Sequence, residues 1–254
     1  MWTKWKYLLL ATALLTFSGW ATPKISFYKF SLQWPPATCH GTLSCKPPIP
    51  LDFKIYGIWP QDKNDIPIPP YSKSNRCTRK RPTRPEDLPK KLGKIERELE
   101  SRWPNLRDAH NKAAIGTHPH CLKTANYRFW KYEWKMHGTC SDYPTDPLQY
   151  FNSALKLKRG LKTIVRFRPG TKKTVQEFVD EVFDVLKAYP EIACNENPSR
   201  TRKQLWEIRL CYDKPKPGKL PKKLLNCIHQ LPEKNSRIIG PCRTMTDRIV
   251  FRTS

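Results

Sequence analysis

Large apolar and polar residues alternate along Phe27-Tyr28-Lys29-Phe30-Ser31-Leu32-Gln33-Trp34, and the run stops at Pro35-Pro36. A period of two predicts a strand, and the proline pair marks it as a first or edge strand. A second strand is predicted from Phe53 to Trp59, ending at Pro60. Alternation returns at Leu205–Tyr212, with Trp206, Ile208, Leu210 and Tyr212 on one side, and Ile249, Val250 and Phe251 predict a final strand. Elsewhere the apolar spacing is helical. Leu92, Ile95, Leu99 and Trp103 fit a helix within Pro89–Trp103, Phe129–His137 is a short helix candidate, and Leu148–Val165 predicts a helix with Leu155 and Leu157 inward. The clearest helix is Thr174–Tyr189, where Val175, Phe178, Val179, Val182, Phe183 and Leu186 build one apolar stripe. Strands and helices mixed in this order, without an internal repeat, predict a single α+β domain.

Two connections stand out. Residues 61–91 are rich in proline and basic residues, including Arg76 and Thr78-Arg79-Lys80-Arg81, and predict a long loop. Lys214–Lys223 is a second basic, proline-rich connection, expected to be solvated.

The N-terminus changes the picture. Lys4 and Lys6 precede an apolar run from Tyr7 to Phe17, and the small residues Ser18, Gly19 and Ala21 follow. This order predicts a secretory signal over residues 1–21, leaving one exported domain over 22–254. The run is too short for a bilayer, which needs ~20 apolar residues. No later segment approaches that length, so no membrane span is expected. All nine cysteines lie beyond residue 21, and in an exported chain such usage reads as a disulfide framework with one thiol left over. Only His118, His120 and Cys121 cluster, and no paired C-x-x-C completes a zinc shell, so no metal is expected. Asn197-Pro-Ser is blocked as a glycosylation sequon by its proline.

Lys and Arg total 47 against 22 acidic residues, a net charge of +25, of which Lys4 and Lys6 contribute two. Such a field attracts polyanions. By itself it does not choose among RNA, cell-wall polyanions and acidic membrane surfaces.

Three stretches narrow the choice: Phe30-Ser-Leu-Gln-Trp-Pro-Pro-Ala-Thr-Cys39, Phe53-Lys-Ile-Tyr-Gly-Ile-Trp-Pro60 and Phe129-Trp-Lys-Tyr-Glu-Trp-Lys-Met-His-Gly-Thr-Cys140. Together they resemble the ribonuclease T2 family, especially its plant S-ribonuclease and S-like ribonuclease branch. There the second stretch typically reads F-T-I-H-G-L-W-P and the third F-W-x-H-E-W-x-K-H-G-T-C. The likeness continues through Arg102-Trp-Pro-Asn-Leu106, Tyr150-Phe151, Tyr189-Pro190 with Cys194, and Glu207-Ile-Arg-Leu-Cys211.

The resemblance implies a central antiparallel sheet flanked by helices and held by the pairs Cys39–Cys45, Cys77–Cys140, Cys194–Cys242 and Cys211–Cys227, leaving Cys121 over. It also implies transfer of an RNA phosphodiester to the neighbouring 2′-hydroxyl through a cyclic phosphate, with no cofactor. That chemistry needs a base, an acid and positive charge at the phosphorane. The family's first two histidines fall at Tyr56 and Tyr132, its glutamate at Glu133, its lysine at Met136 and its last histidine at His137. Gln33 and Trp59 stand where the family contacts bases; the acid after Trp-Pro is displaced to Asp62. Tyrosine, with a pKa near 10, is a poor proton shuttle, and each lost acid or base costs ~10²–10⁴-fold. His118-Pro-His120 is expected to be an exposed loop and not a substitute. The expectation is a secreted, monomeric, extracellular protein that binds single-stranded RNA or another polyanion and cleaves poorly or not at all. The alternatives are an endoribonuclease working through His137 and Glu133 with a compensating group, and a non-enzymatic defence or pollen–pistil recognition protein that meets a protein partner through basic loops 76–91 and 200–223.

Overall fold

The structure is a computed structural model; it describes residues 24–39, 45, 48–106, 119–161, 167–197, 199–232 and 240–253, without the side chains of 119–123. The predicted signal segment, His118 and the side chains of His120 and Cys121 lie outside the described residues.

The long strand β5 (Lys203–Asp213) is the spine of a seven-stranded sheet. Antiparallel to it lie β1 (Phe27–Gln33), β4 (Glu191–Glu196) and β6 (Leu224–Leu225), and β2 (Lys54–Gln61) runs antiparallel along the far side of β1. The C-terminal β7 (Arg248–Val250) meets β5 in parallel at Gln204 and Val250, and β3 (Lys172–Thr174) pairs antiparallel with β7. The sheet is therefore antiparallel apart from that one junction.

β1 corrects an expectation. It is the first strand of the chain but not an edge: it lies between β2 and β5, and all seven of its residues are buried. The polar positions Lys29, Ser31 and Gln33 are as covered as Tyr28, Phe30 and Leu32, because neighbouring strands supply charged partners for the polar face.

The helices cover the apolar side. α1 (Pro35–Thr38) is a single turn after β1, and α2 (Leu88–Leu92) and α3 (Glu96–Arg102) replace the one helix expected over Pro89–Trp103. The break falls at Gly93–Ile95, and glycine is a poor helix former. α4 (Pro119–Glu133) is longer than the expected Phe129–His137 element and continues into a π-helical turn, Trp134–Gly138. α5 (Pro147–Gly160) opens with Asp146 accepting the Gln149 N–H, and residues 162–165 of the predicted helix lie outside the described residues. α6 (Val175–Leu186) starts with a reciprocal capping box between Thr174 and Glu177. Val175, Phe178, Val179 and Val182 of its stripe are buried in one core with Phe30, Leu32, Ile208 and Leu210 of the sheet.

Trp103, Trp130, Trp134, Tyr150 and Phe151 complete that core. Their polar atoms clamp the strand that carries the site. Trp103 Nε1 donates to the Tyr56 carbonyl at 3.0 Å, and Tyr150 Oη donates to the Ile58 carbonyl at 2.7 Å. Four disulfides, Cys39–Cys45, Cys77–Cys140, Cys194–Cys242 and Cys211–Cys227, tie loops to these elements. Loop 61–91 is largely irregular, as its composition predicts, but ends in a 3-10 turn (Pro85–Asp87) that leads into α2. No described helix is long and apolar enough to cross a membrane.

Candidate active site

β2 does not keep a strict alternation. Ser31 pairs with Gly57 and Leu32 with Ile55, so Tyr56 is the extra residue of a β-bulge. Strict alternation would send residues 56 and 59 to opposite faces; a bulge re-aims the side chain it carries. The Tyr56 ring thus lies 5.7 Å from the Trp59 ring, edge to face. It also stacks at 6.2 Å on Phe129 and lies 6.1 Å from Trp206, and it is half-buried.

Gly57 makes the next contact possible. A Cβ there would fall 2.1 Å from Trp59 Nε1 and 2.6 Å from Glu133 Oε2. With no side chain in the way, Trp59 Nε1 donates to Glu133 Oε2 at 3.1 Å. Glu133 is the last residue of α4, and the π turn that follows brings His137 to the same indole, ring centres 5.6 Å apart. Trp59 therefore joins the strand to both Glu133 and His137.

The electrostatics of this pair are unusual. Glu133 is 3% exposed, and burial pushes its carboxyl up to about 8, with the Glu207 charge adding and the Trp59 hydrogen bond opposing. Burial pushes the His137 imidazole down to about 3, and its Nδ1 is buried without a hydrogen-bond partner. Near neutral pH the first is an uncharged acid and the second an uncharged base. Met136 is half-buried and brings no charge, while the neighbouring Lys135 is exposed.

Tyr132 is not drawn in. It is 57% exposed and has no ring or hydrogen-bond partner among the described residues. Gln33 is buried on β1 and accepts from Thr38 Oγ1 at 3.3 Å, and Trp206 Nε1 donates to the same hydroxyl at 3.2 Å. This links Gln33 to the aromatic group around Tyr56. Asp62 faces its own loop, accepting the N–H groups of Asn64 and Ile66.

Sequence reasoning missed the layer beneath. On the polar face, Lys29 Nζ bonds Asp65 and Glu191 at 2.7 Å each, Arg209 pairs with Glu191 and with Glu207, and Ser31 Oγ donates to Glu207 at 2.8 Å. Burial acts to raise the Glu191 carboxyl, but Arg209 and Lys29 outweigh it and hold it low. The Arg209 guanidinium lies 5.5 Å from the Trp59 ring centre, a cation–π contact that ties the ion network to the site. The available signal was Lys29, Ser31, Glu207 and Arg209 recurring at alternate positions of otherwise apolar strands. Among the described residues no His/Cys/Asp/Glu group is arranged to hold a metal.

The chain belongs to the ribonuclease T2 family, whose sequence profile matches residues 25–227. Ribonuclease S-6 of Nicotiana alata is 31% identical over 193 residues, covering 74% of this chain and 76% of that protein. Ribonuclease MC1 from bitter gourd seeds shares the fold, with a TM-score of 0.63 and 22% identity over 89% of this chain and 100% of the other. RNase NT, solved in complex with 5′-AMP, superposes with a TM-score of 0.61 and 23% identity over 90% of this chain and 98% of that one.

Proposed function

We propose that this member of the ribonuclease T2 family is an exported RNA-binding protein whose catalysis is lost or strongly reduced. The observation that carries the reading is the proton inventory of the site. One imidazole and one carboxyl face Trp59, both uncharged near neutral pH, while tyrosine and methionine stand at the other positions the family uses. A base with a pKa near 3 is weak, and Met136 brings no charge to the developing phosphorane. Binding survives this loss. Tyr56, Phe129 and Trp206 form an aromatic group beside Gln33, and aromatic faces take unpaired bases by stacking. That the RNase NT structure holds 5′-AMP supports a nucleotide as ligand. Export is supported by the N-terminal signal pattern and by the four disulfides, which persist in oxidising compartments.

One observation favours a second reading, a slow endoribonuclease. A protonated Glu133 and a neutral His137 are already an acid and a base in their starting forms. Cleavage of a defined oligoribonucleotide, followed across roughly pH 4 to 8 where carboxyls and imidazoles titrate, separates the two. The first reading expects turnover at least ~10³-fold below an intact family member. Cleavage at an ordinary family rate that His137→Ala abolishes would overturn it.

A further inference from the structure

The connection from Asp213 to Lys223 is not a free loop. Its base is closed by the Asp213 N–H donating to the Lys223 carbonyl at 2.9 Å, and by Asp213 Oδ1 accepting the Lys222 and Lys223 N–H groups. Its tip is a turn: the Lys219 N–H donates to the Lys216 carbonyl at 2.9 Å across Pro217-Gly218, with Gly218 at φ 72°. Only glycine enters that region freely. Tyr143 Oη donates to the Lys219 carbonyl at 2.6 Å and Gln149 Nε2 to the Gly218 carbonyl at 3.2 Å, while Pro215 and Pro221 are buried. The backbone is pinned, and Lys214, Lys216, Lys219, Lys222 and Lys223 all remain exposed.

A second basic stretch docks on the same support. Thr83 donates its N–H to the Pro144 carbonyl and its hydroxyl to the Thr145 carbonyl, both at 2.9 Å. Just before it, Arg79, Lys80 and Arg81 are exposed. Segment 143–145 thus carries the hairpin through Tyr143 and the arginine stretch through Pro144 and Thr145. Lys214 pairs with Asp142 at 3.3 Å. Among the described residues, Lys216, Lys219, Lys222, Lys223, Arg79, Lys80 and Arg81 form no ion pair. Trp134 Nε1 donates to the Thr83 carbonyl at 2.8 Å, so the arginine stretch is also bonded to the π turn that carries His137.

We propose that the hairpin and the Arg79–Arg81 stretch form a second RNA-binding surface, which holds the phosphate backbone of single-stranded RNA outside the cleft. The proposal rests on the reading of RNA as ligand but concerns different residues. Seven unneutralised cations stand on a backbone held by hydrogen bonds, which loses little entropy on meeting a polyanion. The exposed residues of the hairpin tip are lysines, Pro217 and Gly218, while Leu220 turns to the core. Stable membrane anchoring needs an apolar face or chain beside the cations, and the tip offers none. Such a surface reads charge and not sequence, and the same chain presents it together with the cleft.

The test is a fourfold variant of the mature chain, Lys216→Ala with Lys219→Ala, Lys222→Ala and Lys223→Ala, titrated with a fluorescent single-stranded oligoribonucleotide at several salt concentrations. Each lost phosphate contact removes about 0.7 from the slope of log affinity against log salt, so the slope falls by up to about 3, with at least ~10-fold weaker binding near 0.1 M salt. The matching fourfold Lys→Arg variant keeps both values, which separates lost charge from misfolding. Tyr56→Ala weakens binding through the cleft and leaves the slope alone. An unchanged slope in the alanine variant overturns the surface proposal, and the cleft reading then stands if Tyr56→Ala still weakens binding. Binding to phosphatidylserine vesicles or polyglutamate, with none to RNA, overturns both.

Discussion

Replacing Glu133 by glutamine removes one ionisable group and keeps an oxygen to accept from Trp59 Nε1. The unfolded chain releases this proton near the ordinary value of 4.5, whereas the folded chain holds it to about 8. Between those values the folded state binds one proton more than the unfolded state, so stability falls as pH rises, by about 1.36 kcal/mol per pH unit. Over the interval from 4.5 to about 8 the loss is about 5 kcal/mol. His137 acts in the opposite sense. Its folded value of about 3 lies below the ordinary 6.5, so its contribution grows as pH rises through that window. The two cancel from about pH 4.5 to 6.5, and above this only the Glu133 decline remains, about 2 kcal/mol by pH 8. Urea unfolding followed by tryptophan fluorescence across this range gives both curves. The parent should show a plateau and then an alkaline decline. The Glu133→Gln variant should climb to about pH 6.5 and stay level. A parent–variant difference that does not change with pH would show that Glu133 is not desolvated as its burial implies, and the reasoning would fail.

Three further outcomes follow from the same geometry. Tyr56→His, Tyr132→His and Met136→Lys together should restore measurable release of cyclic-phosphate ends, with single reversions restoring much less because such residues act as a unit; a folded triple revertant as inactive as the parent would refute the residue-level account. Met136→Lys alone should lower the Glu133 pKa from about 8, since a nearby cation favours the carboxylate, and a carboxyl-resolved NMR titration checks it. Arg209→Met leaves Glu207 buried without a cation and Glu191 with Lys29 alone, and should cost about 3–5 kcal/mol in urea unfolding, and a loss below about 1 kcal/mol would mean the network is not desolvated.

Much of the chain could be read before any coordinates. The stripe on α6, the alternation of β1 and β5 and the arrest of β2 near Pro60 are local patterns, and local pattern sets the element type. The ribonuclease T2 resemblance is equally legible, since it rests on residue identities in order, and so are the tyrosines at positions 56 and 132. A sequence also states charge without reference to geometry, and the two basic, proline-rich connections were visible as composition.

The tertiary structure decided what those residues touch. Nothing in the string of β2 announces that Tyr56 is the bulged residue; that follows from pairing with β1, and it turns the ring toward Trp59. Nor does the helical pattern separate half-buried Tyr56 from exposed Tyr132, two tyrosines that the motif treats alike. Lys29 and Arg209 look like ordinary strand-surface cations until strands β1, β4 and β5 lie side by side and bury them against Glu191 and Glu207. The same holds for Lys214–Lys223, whose backbone is held because Tyr143 and Gln149, remote in the chain, donate hydrogen bonds to its turn. Periodicity is a property of neighbours along the chain, whereas burial, pairing and pKa depend on neighbours in space. Only the folded chain brings those together.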